Sequence, residues 1–193
     1  MNNIISVNTF QCFTKEQVKE INKEIKRCTN NGFSQKENPD EVAKFVTKKG
    51  DFFHIPCPPL MELLHPWLYQ CQLINKNLFG YDIYWDFHLD FFKYNVYGVG
   101  GEYRWHVDAT NKNAKYSGHV SSTKDTKLTC LLNLSEESYE GGEFHSMGNP
   151  NEEVKFTTGM GLVFTSLLAH KVTPVTKGER KTLTYWAEGP VWR

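Results

Sequence analysis

Apolar and polar positions along this chain follow one period before Gly80 and another after it. Between Lys15 and Cys28 the apolar residues Val18, Ile21, Ile25 and Cys28 fall three or four apart with Lys and Glu between them, which predicts a surface helix with one buried stripe. Thr14 followed by Gln17 is a capping box at its start. Ile4 to Phe13 alternates loosely, as a strand or sheet edge does. The stretch 30–50 is polar and rich in Asn, Lys and Gly, and predicts a loop with a helical turn near Glu41–Phe45. Asp51–Pro59 is bounded by prolines and is expected to hold no long regular element. Leu60 to Leu78 returns to helical spacing through Leu64, Trp67, Leu68 and Cys71, and Pro66 inside it predicts a kink or a break into two shorter helices.

After Gly80 the period becomes two. Tyr81 to Tyr94 alternates over a long aromatic-rich run and reads as a strand. Further strands are predicted at Gly101–Asp108, Lys127–Leu134, Gly142–Ser146, Glu153–Phe156, Gly161–Phe164, His170–Val175 and Arg180–Trp186. Short strands separated by Gly and Pro turns imply an antiparallel sandwich or barrel. The expected fold is mainly β with flanking α: a jelly roll with N-terminal helices packed on one sheet. It makes a single domain over 1–193, with 1–80 as a mostly helical flank and 81–193 as the jelly-roll core.

Composition narrows the class of function. Aromatic residues at 14% exclude a disordered chain, and 22 basic residues balance 22 acidic ones, so no global field favours nucleic acid or an anionic membrane. The odd count of 5 cysteines, without CxxC spacing, argues against a disulfide framework or a thiolate zinc site and for a reducing, cytoplasmic setting. Neither a signal peptide nor a membrane-spanning apolar run is evident. Nothing in the pattern speaks to oligomeric state.

The candidate chemistry lies in Tyr97-Gly-Val-Gly-Gly-Glu-Tyr-Arg-Trp-His106-Val-Asp108. On an extended strand, side chains two apart share a face, so His106 and Asp108 would project together. His170, at the end of the apolar run from Gly161, is the candidate third ligand. Two His and one carboxylate with open positions form the facial triad of non-haem Fe(II) oxygenases. Such a metal needs an electron source to activate O2, which a chelating 2-oxoacid supplies. Its far carboxylate then calls for a cation, and Arg180 carries the matching fork. Gly98, Gly100 and Gly101 could form a bulge or a left-handed turn that aims His106 inward. The polar spans 30–50 and 109–126 are candidate lids over the site. His119 and His145 lie outside the triad and read as surface or loop residues.

These residues also carry a resemblance. Tyr97-x-x-Gly100-x-x-Tyr103-x-x-His106-x-Asp108, then Leu128–Leu134 with Gly141-Gly142, then His170-x-Val172-x-Pro174 with Gly178-x-Arg180 and Trp186, resemble the prolyl 4-hydroxylase-like Fe(II)/2-oxoglutarate dioxygenases, and most of all the PKHD-type hydroxylase group. The resemblance spans about 90–190. It implies a double-stranded β-helix with Fe(II) on His106, Asp108 and His170, and with Arg180 on the distal carboxylate of 2-oxoglutarate. O2 is the oxidant and ascorbate an accessory reductant. Tyr97, Asn133 and Trp186 fall where co-substrate contacts occur, with core packing as the other reading of Tyr97 and Trp186. Asn133 should share a face with Thr129 and Leu131.

The expected activity is hydroxylation of an unactivated C–H, with prolyl residues of a protein or peptide as one substrate class and a free amino acid or other small molecule as the alternative. A non-catalytic metal-binding jelly roll is the rival from another class. A hydrolytic zinc enzyme is weaker, because no carboxylate is evidently placed as a general base.

Overall fold

The first helix begins where its cap dictates. Thr14 Oγ1 accepts from the Gln17 N–H at 3.3 Å and the Gln17 side chain accepts from the Thr14 N–H at 2.9 Å, which satisfies two donors that a helix start leaves orphaned. In the computed structural model, which describes residues 7–32, 35–36, 48–85, 87, 90–109 and 124–192, this helix is α1 (Lys15–Asn30). Its buried residues are Val18, Ile21, Ile25 and Cys28, the predicted stripe. The second helix, α2 (Met61–Ile74), follows a 3-10 turn at Pro58–Leu60 and runs into a π-helical turn at Asn75–Phe79.

Of the kink or break expected at Pro66, no break occurs: the helix continues across it. An interior proline costs roughly 3 kcal/mol, but Leu64, Trp67, Leu68 and Cys71 are buried on both sides of it. Each large apolar side chain returns about 1.5–3 kcal/mol on burial. Packing therefore holds the helix together across the missing hydrogen bond.

The strands among the described residues are, in chain order, β1 (Asn8–Gln11), β2 (Gln35–Lys36), β3 (Lys48–Lys49), β4 (Asp51–Pro56), β5 (Phe91–Tyr97), β6 (Glu102–His106), β7 (Lys124–Asn133), β8 (Glu140–Gly141), β9 (Phe144–Ser146), β10 (Asn149–Val154), β11 (Met160–Thr165), β12 (His170–Val172), β13 (Val175–Lys177) and β14 (Arg180–Pro190). The larger sheet has the order β1-β11-β7-β14-β5-β4-β2, the smaller β10-β9-β12-β6-β3, and β13 pairs with β8. All described pairings are antiparallel, giving a jelly roll with helices on one sheet.

Alternation along the central strands separates the two layers. Leu128, Cys130 and Leu132 of β7, with Leu183, Tyr185 and Ala187 of β14, join the core that α1 and α2 cover. The intervening residues, among them Leu131, Thr182, Thr184 and Trp186, face the space between the sheets. That space holds the candidate site.

Three local expectations change. Asp51–Pro56 is a full edge-ward strand, since a proline at its last position removes only one donor. The stretch read as a loop contributes β2 and β3, while its expected helical turn at 41–45 lies outside the described residues. Tyr81 to Asp90 forms no strand in its described positions. The Asn75 side chain takes both backbone groups of Tyr81, accepting from its N–H at 3.1 Å and donating to its carbonyl at 2.8 Å. Tyr81, Ile83, Trp85 and Phe87 pack instead on the helix-covered core, and this one-sided packing imposes a period of two without a ladder. All five cysteines are free thiols; burial pushes Cys12 up to about 11.

Candidate metal centre

His106 owes its direction to an extra residue in β6. His170 lies opposite His106 and Val172 opposite Tyr103, so three steps along β6 match two along β12. Such a bulge lets two residues three apart share a face, and the Tyr103 and His106 rings stack at 12° with centroids 3.4 Å apart. Upstream, Gly100 takes φ 80 in the turn that starts the strand. The bulge and left-handed turn anticipated from the glycines are both present. Asp108 lies past the strand end, and its N–H and that of Ala109 both donate to the Ser166 carbonyl, at 3.1 and 3.0 Å. The connection from β11 to β12 thus positions Asp108.

The three candidate ligands converge. Asp108 Oδ1 is 3.5 Å from His106 Nε2, Asp108 Oδ2 is 3.5 Å from His170 Nε2, and the ligand atoms of all three lie within 4.8 Å of one another. Donors about 2.1 Å from one ion and at right angles to each other would be roughly 3 Å apart, so the set fits a first-row divalent metal. The tautomers fit as well. Nδ1 of His106 is 2.7 Å from the Arg104 carbonyl and Nδ1 of His170 is 2.9 Å from the Leu168 carbonyl. Each ring therefore carries its proton on Nδ1 and turns Nε2 toward Asp108 as a lone pair. Asp108 Oδ2 also accepts from Thr129 Oγ1 at 2.7 Å.

The charges suit metal binding. Burial works against the Asp108 carboxylate, but the adjacent His170, the facing His106 ring and the Thr129 hydroxyl outweigh it and hold the carboxyl well below its usual range. Burial lowers the His170 imidazole below its ordinary value of 6.5, with Asp108 opposing and His106 reinforcing the shift. A histidine kept neutral in the fold takes up its proton more readily when unfolded. The metal-free protein is therefore expected to lose stability as pH falls through the ordinary histidine value and below. Urea midpoints of chelator-treated protein at pH 7.5 and 5.5 would show this, and His170→Gln should flatten the difference; an unchanged difference would contradict it.

Beneath the triad is a cleft of about 390 Å³, its open mouth included. His106, Asp108, His170, Arg180, Tyr97 and Trp186 all line it. Arg180 is 1% exposed, and its Nε has no hydrogen-bond partner. Among the described residues no carboxylate pairs with it. Its guanidinium carbon sits 5.4 Å from the Tyr97 ring centroid and 5.8 Å from that of Phe156. Gly142 makes room for it: a Cβ there would lie 2.8 Å from Arg180 Cδ. His106 Nε2 and Trp186 Nε1 are likewise buried without a hydrogen-bond partner. Orphaned polar atoms at both ends of one cleft fit a ligand that reaches from an ion to the guanidinium.

Asn133 is held by protein partners. It is fully buried, its Nδ2 donates to the Phe156 carbonyl at 2.7 Å and to Tyr139 OH at 3.3 Å, and its Oδ1 accepts from the Ser135 N–H at 2.9 Å. Both ends of the amide thus have partners around the loop after β7. His145 lies on β9 opposite Lys171, apart from the triad, and His119 lies outside the described residues, as does most of the 109–126 lid candidate. The residues not anticipated were Thr129, Thr182 and Thr184, and with them Asn95 and Lys48 from other elements. The Arg180-x-Thr182-x-Thr184-x-Trp186 alternation was a usable signal for the two β14 threonines, since all four share one strand face.

Comparison with known proteins now bears on this site. The profile of the 2OG-Fe(II) oxygenase superfamily matches residues 92–188, half of the chain. The chain belongs to the 2OG-Fe(II) oxygenase superfamily. The match runs from β5 to β14 and so contains the triad and Arg180. Similar relatives include a PKHD-type hydroxylase of Alteromonas mediterranea, 35% identical over 99 residues that make up 51% of this chain and 43% of that protein. Another, of Xylella fastidiosa, is 30% identical over 102 residues, 51% of this chain and 44% of that protein. The chain thus aligns with less than half the length of these curated relatives. Among solved structures, a Pseudomonas putida prolyl-4-hydroxylase superposes with a TM-score of 0.68 at 19% identity, covering 96% of this chain and 93% of that one. A Trichoplax adhaerens prolyl hydroxylase, solved with a hypoxia inducible factor peptide, gives 0.66 at 17% identity over 95% and 83%. At such identities the structures speak for the fold alone, the jelly roll. Membership of the superfamily implies Fe(II) and 2-oxoglutarate. Among the described residues no helix is long and apolar enough to cross a membrane.

Proposed function

We propose that this chain is a single-domain, cytoplasmic, Fe(II)- and 2-oxoglutarate-dependent oxygenase that hydroxylates an unactivated C–H, with prolyl residues of a protein or peptide as the substrate class. The observation that carries this reading is Arg180: a buried guanidinium without an anionic partner among the described residues, lining the same cleft as the triad. A structural metal staple has no use for such a cation, whereas a chelated dicarboxylate does.

Bound together, Fe(II) and 2-oxoglutarate would supply two of the four electrons that reduce O2, and O2 would be the oxidant and oxygen source that converts C–H to C–OH, with ascorbate as accessory reductant. The chain's own residues do the rest. His106 and His170 offer Nε2 because backbone carbonyls hold their Nδ1 protons. Asp108, held ionised by His170, His106 and the Thr129 hydroxyl, would offset part of the metal charge. Arg180 takes the distal carboxylate of the co-substrate, and Tyr97 packs against that guanidinium. Trp186 lines the cleft, and Phe144 and Phe164 flank His170 at centroid distances of 5.4 and 4.6 Å, keeping water from its ring.

The peptide reading draws on the Pseudomonas putida prolyl-4-hydroxylase and on the Trichoplax peptide complex; a free amino acid or other small molecule is the alternative. Thermal unfolding with Mn(II), with and without N-oxalylglycine, tests the core of the proposal. Added stabilisation by the 2-oxoacid mimic supports the oxygenase, and metal-only stabilisation supports a non-catalytic metal-binding jelly roll. Proline-containing peptides incubated with Fe(II), 2-oxoglutarate and air should yield succinate and a product heavier by one oxygen atom. Succinate without peptide oxidation would shift the substrate to a small molecule.

A further inference from the structure

Two of the three candidate ligands are held by the turn between β11 and β12. Ser166 opens that turn, and all of its polar groups are engaged although the residue is fully buried. Its N–H donates to the Lys127 carbonyl at 3.0 Å and its hydroxyl to the Thr126 carbonyl at 2.5 Å, both on β7. Its own carbonyl takes the N–H groups of Asp108 and Ala109. Two residues on, the Leu168 carbonyl faces Nδ1 of His170, while the Leu168 N–H donates back to the Thr165 carbonyl at 3.0 Å. The turn therefore fixes the backbone at one ligand and the tautomer of another.

The hydroxyl is what orients it. The Ser166 N–H alone ties the turn to β7 at one point; the hydroxyl adds a second attachment one residue along, and two points set a direction. β7 is a firm base for this, since it is paired on one side with β11 and on the other with β14. The same strand supplies Thr129, whose hydroxyl donates to Asp108 Oδ2. Asp108 is thus referred to β7 twice, by its main chain through Ser166 and by its side chain through Thr129. Ser135 is the useful contrast. It is also buried, and its hydroxyl exchanges bonds with both backbone groups of Lys181, but it lies beyond the opposite end of β7 and the backbone it secures carries no metal ligand. We infer that Ser166 is a positioning residue for the metal centre: its hydroxyl, through Thr126, sets the placement of Asp108 and the orientation of His170, and so the affinity and geometry with which the site takes a divalent ion. Of the oxygenase reading above, this rests only on the metal site.

Titration of the chelator-treated full chain with Co(II), followed by calorimetry and by the visible absorption of the bound ion, tests it without turnover. Ser166→Ala should weaken Co(II) binding by about tenfold to a hundredfold, the usual cost of removing an outer partner of a ligand, and should shift the absorption, which reports the arrangement of donors around the ion. Ser135→Ala should leave affinity and absorption unchanged, whatever it does to the urea midpoint. Ser166→Cys, close in size and a weaker donor, should fall between the Ala variant and wild type, and carries the test if Ser166→Ala does not fold. Wild-type affinity and absorption in Ser166→Ala, or in Ser166→Cys where Ala does not fold, would overturn the assignment and leave Ser166 as a clamp on the turn. An equal loss in Ser135→Ala would overturn it as well. Wild-type protein that takes up no Co(II) would remove the metal site, and the oxygenase reading with it. Co(II) bound by wild type without added stabilisation by N-oxalylglycine would remove the oxygenase reading and leave this inference standing.

Discussion

Asp108→Ala should abolish both metal retention and turnover, with affinity for Mn(II) or Co(II) falling by more than about a hundredfold. The carboxylate is the only acid in a cluster whose other ligand atoms are two imidazole nitrogens. It faces both of them at 3.5 Å, so no neighbouring acid can replace it without rebuilding the end of β6. Asp108→Asn sharpens the test, because it keeps the shape and leaves an oxygen for the Thr129 hydroxyl while removing the charge. If charge on the ion governs affinity, Asn should be nearly as poor as Ala. If geometry governs it, Asn should recover much of the binding. Either variant should retain the fold, because the helix-covered core lies on the opposite side of the larger sheet. Metal affinity at the wild-type level in Asp108→Ala would remove the triad from consideration altogether.

How this centre came to be legible before any coordinates depends on the kind of signal each residue carries. α1 was readable from Thr14, Gln17 and four apolar positions because a helix cap and stripe are local. His106, Asp108 and His170 were readable because their spacing relative to Gly100, Gly178 and Arg180 is itself distinctive. A strict strand alternation would have put Tyr103 and His106 on opposite faces, and the bulge in β6 puts them together. Asp108 reaches the site from beyond the strand, through Ser166, a tertiary contact without a local signature.

The departures from local pattern share one cause. Asn133 stood at the right register, but side-chain amides go where unpaired backbone groups are, and Phe156 and Ser135 supplied them. Tyr81–Asp90 had the period of a strand because one side of it is buried, while Asn75 took the backbone groups of Tyr81 that a ladder would have used. Pro66 sat in a helix whose tertiary burial outweighs the loss of one hydrogen bond. Lys48 was beyond reach of any local reading, since its partners lie on β4, β5 and β6. Local rules located the ends of elements; long-range partners decided what the polar side chains do.

Arg180→Met should move two measurements in opposite directions, which no ordinary core substitution does. In the absence of ligands the variant is expected to be more stable than wild type, by about 1–4 kcal/mol in urea unfolding, because a desolvated charge is replaced by an apolar chain of similar length. The site is prepared for it: the stem already runs past Gly142 and the guanidinium lies between the Tyr97 and Phe156 rings, so methionine fills apolar surroundings without a new polar orphan. Affinity for 2-oxoglutarate should fall by about a hundredfold or more, since a buried carboxylate would lose its bidentate partner. Mn(II) alone should still bind, because the triad does not touch the substituted side chain. A purely structural arginine predicts the reverse pattern, with lower stability and unchanged response to the 2-oxoacid. The sign of the stability change therefore decides whether this cation is retained for the fold or for a dianion that visits it.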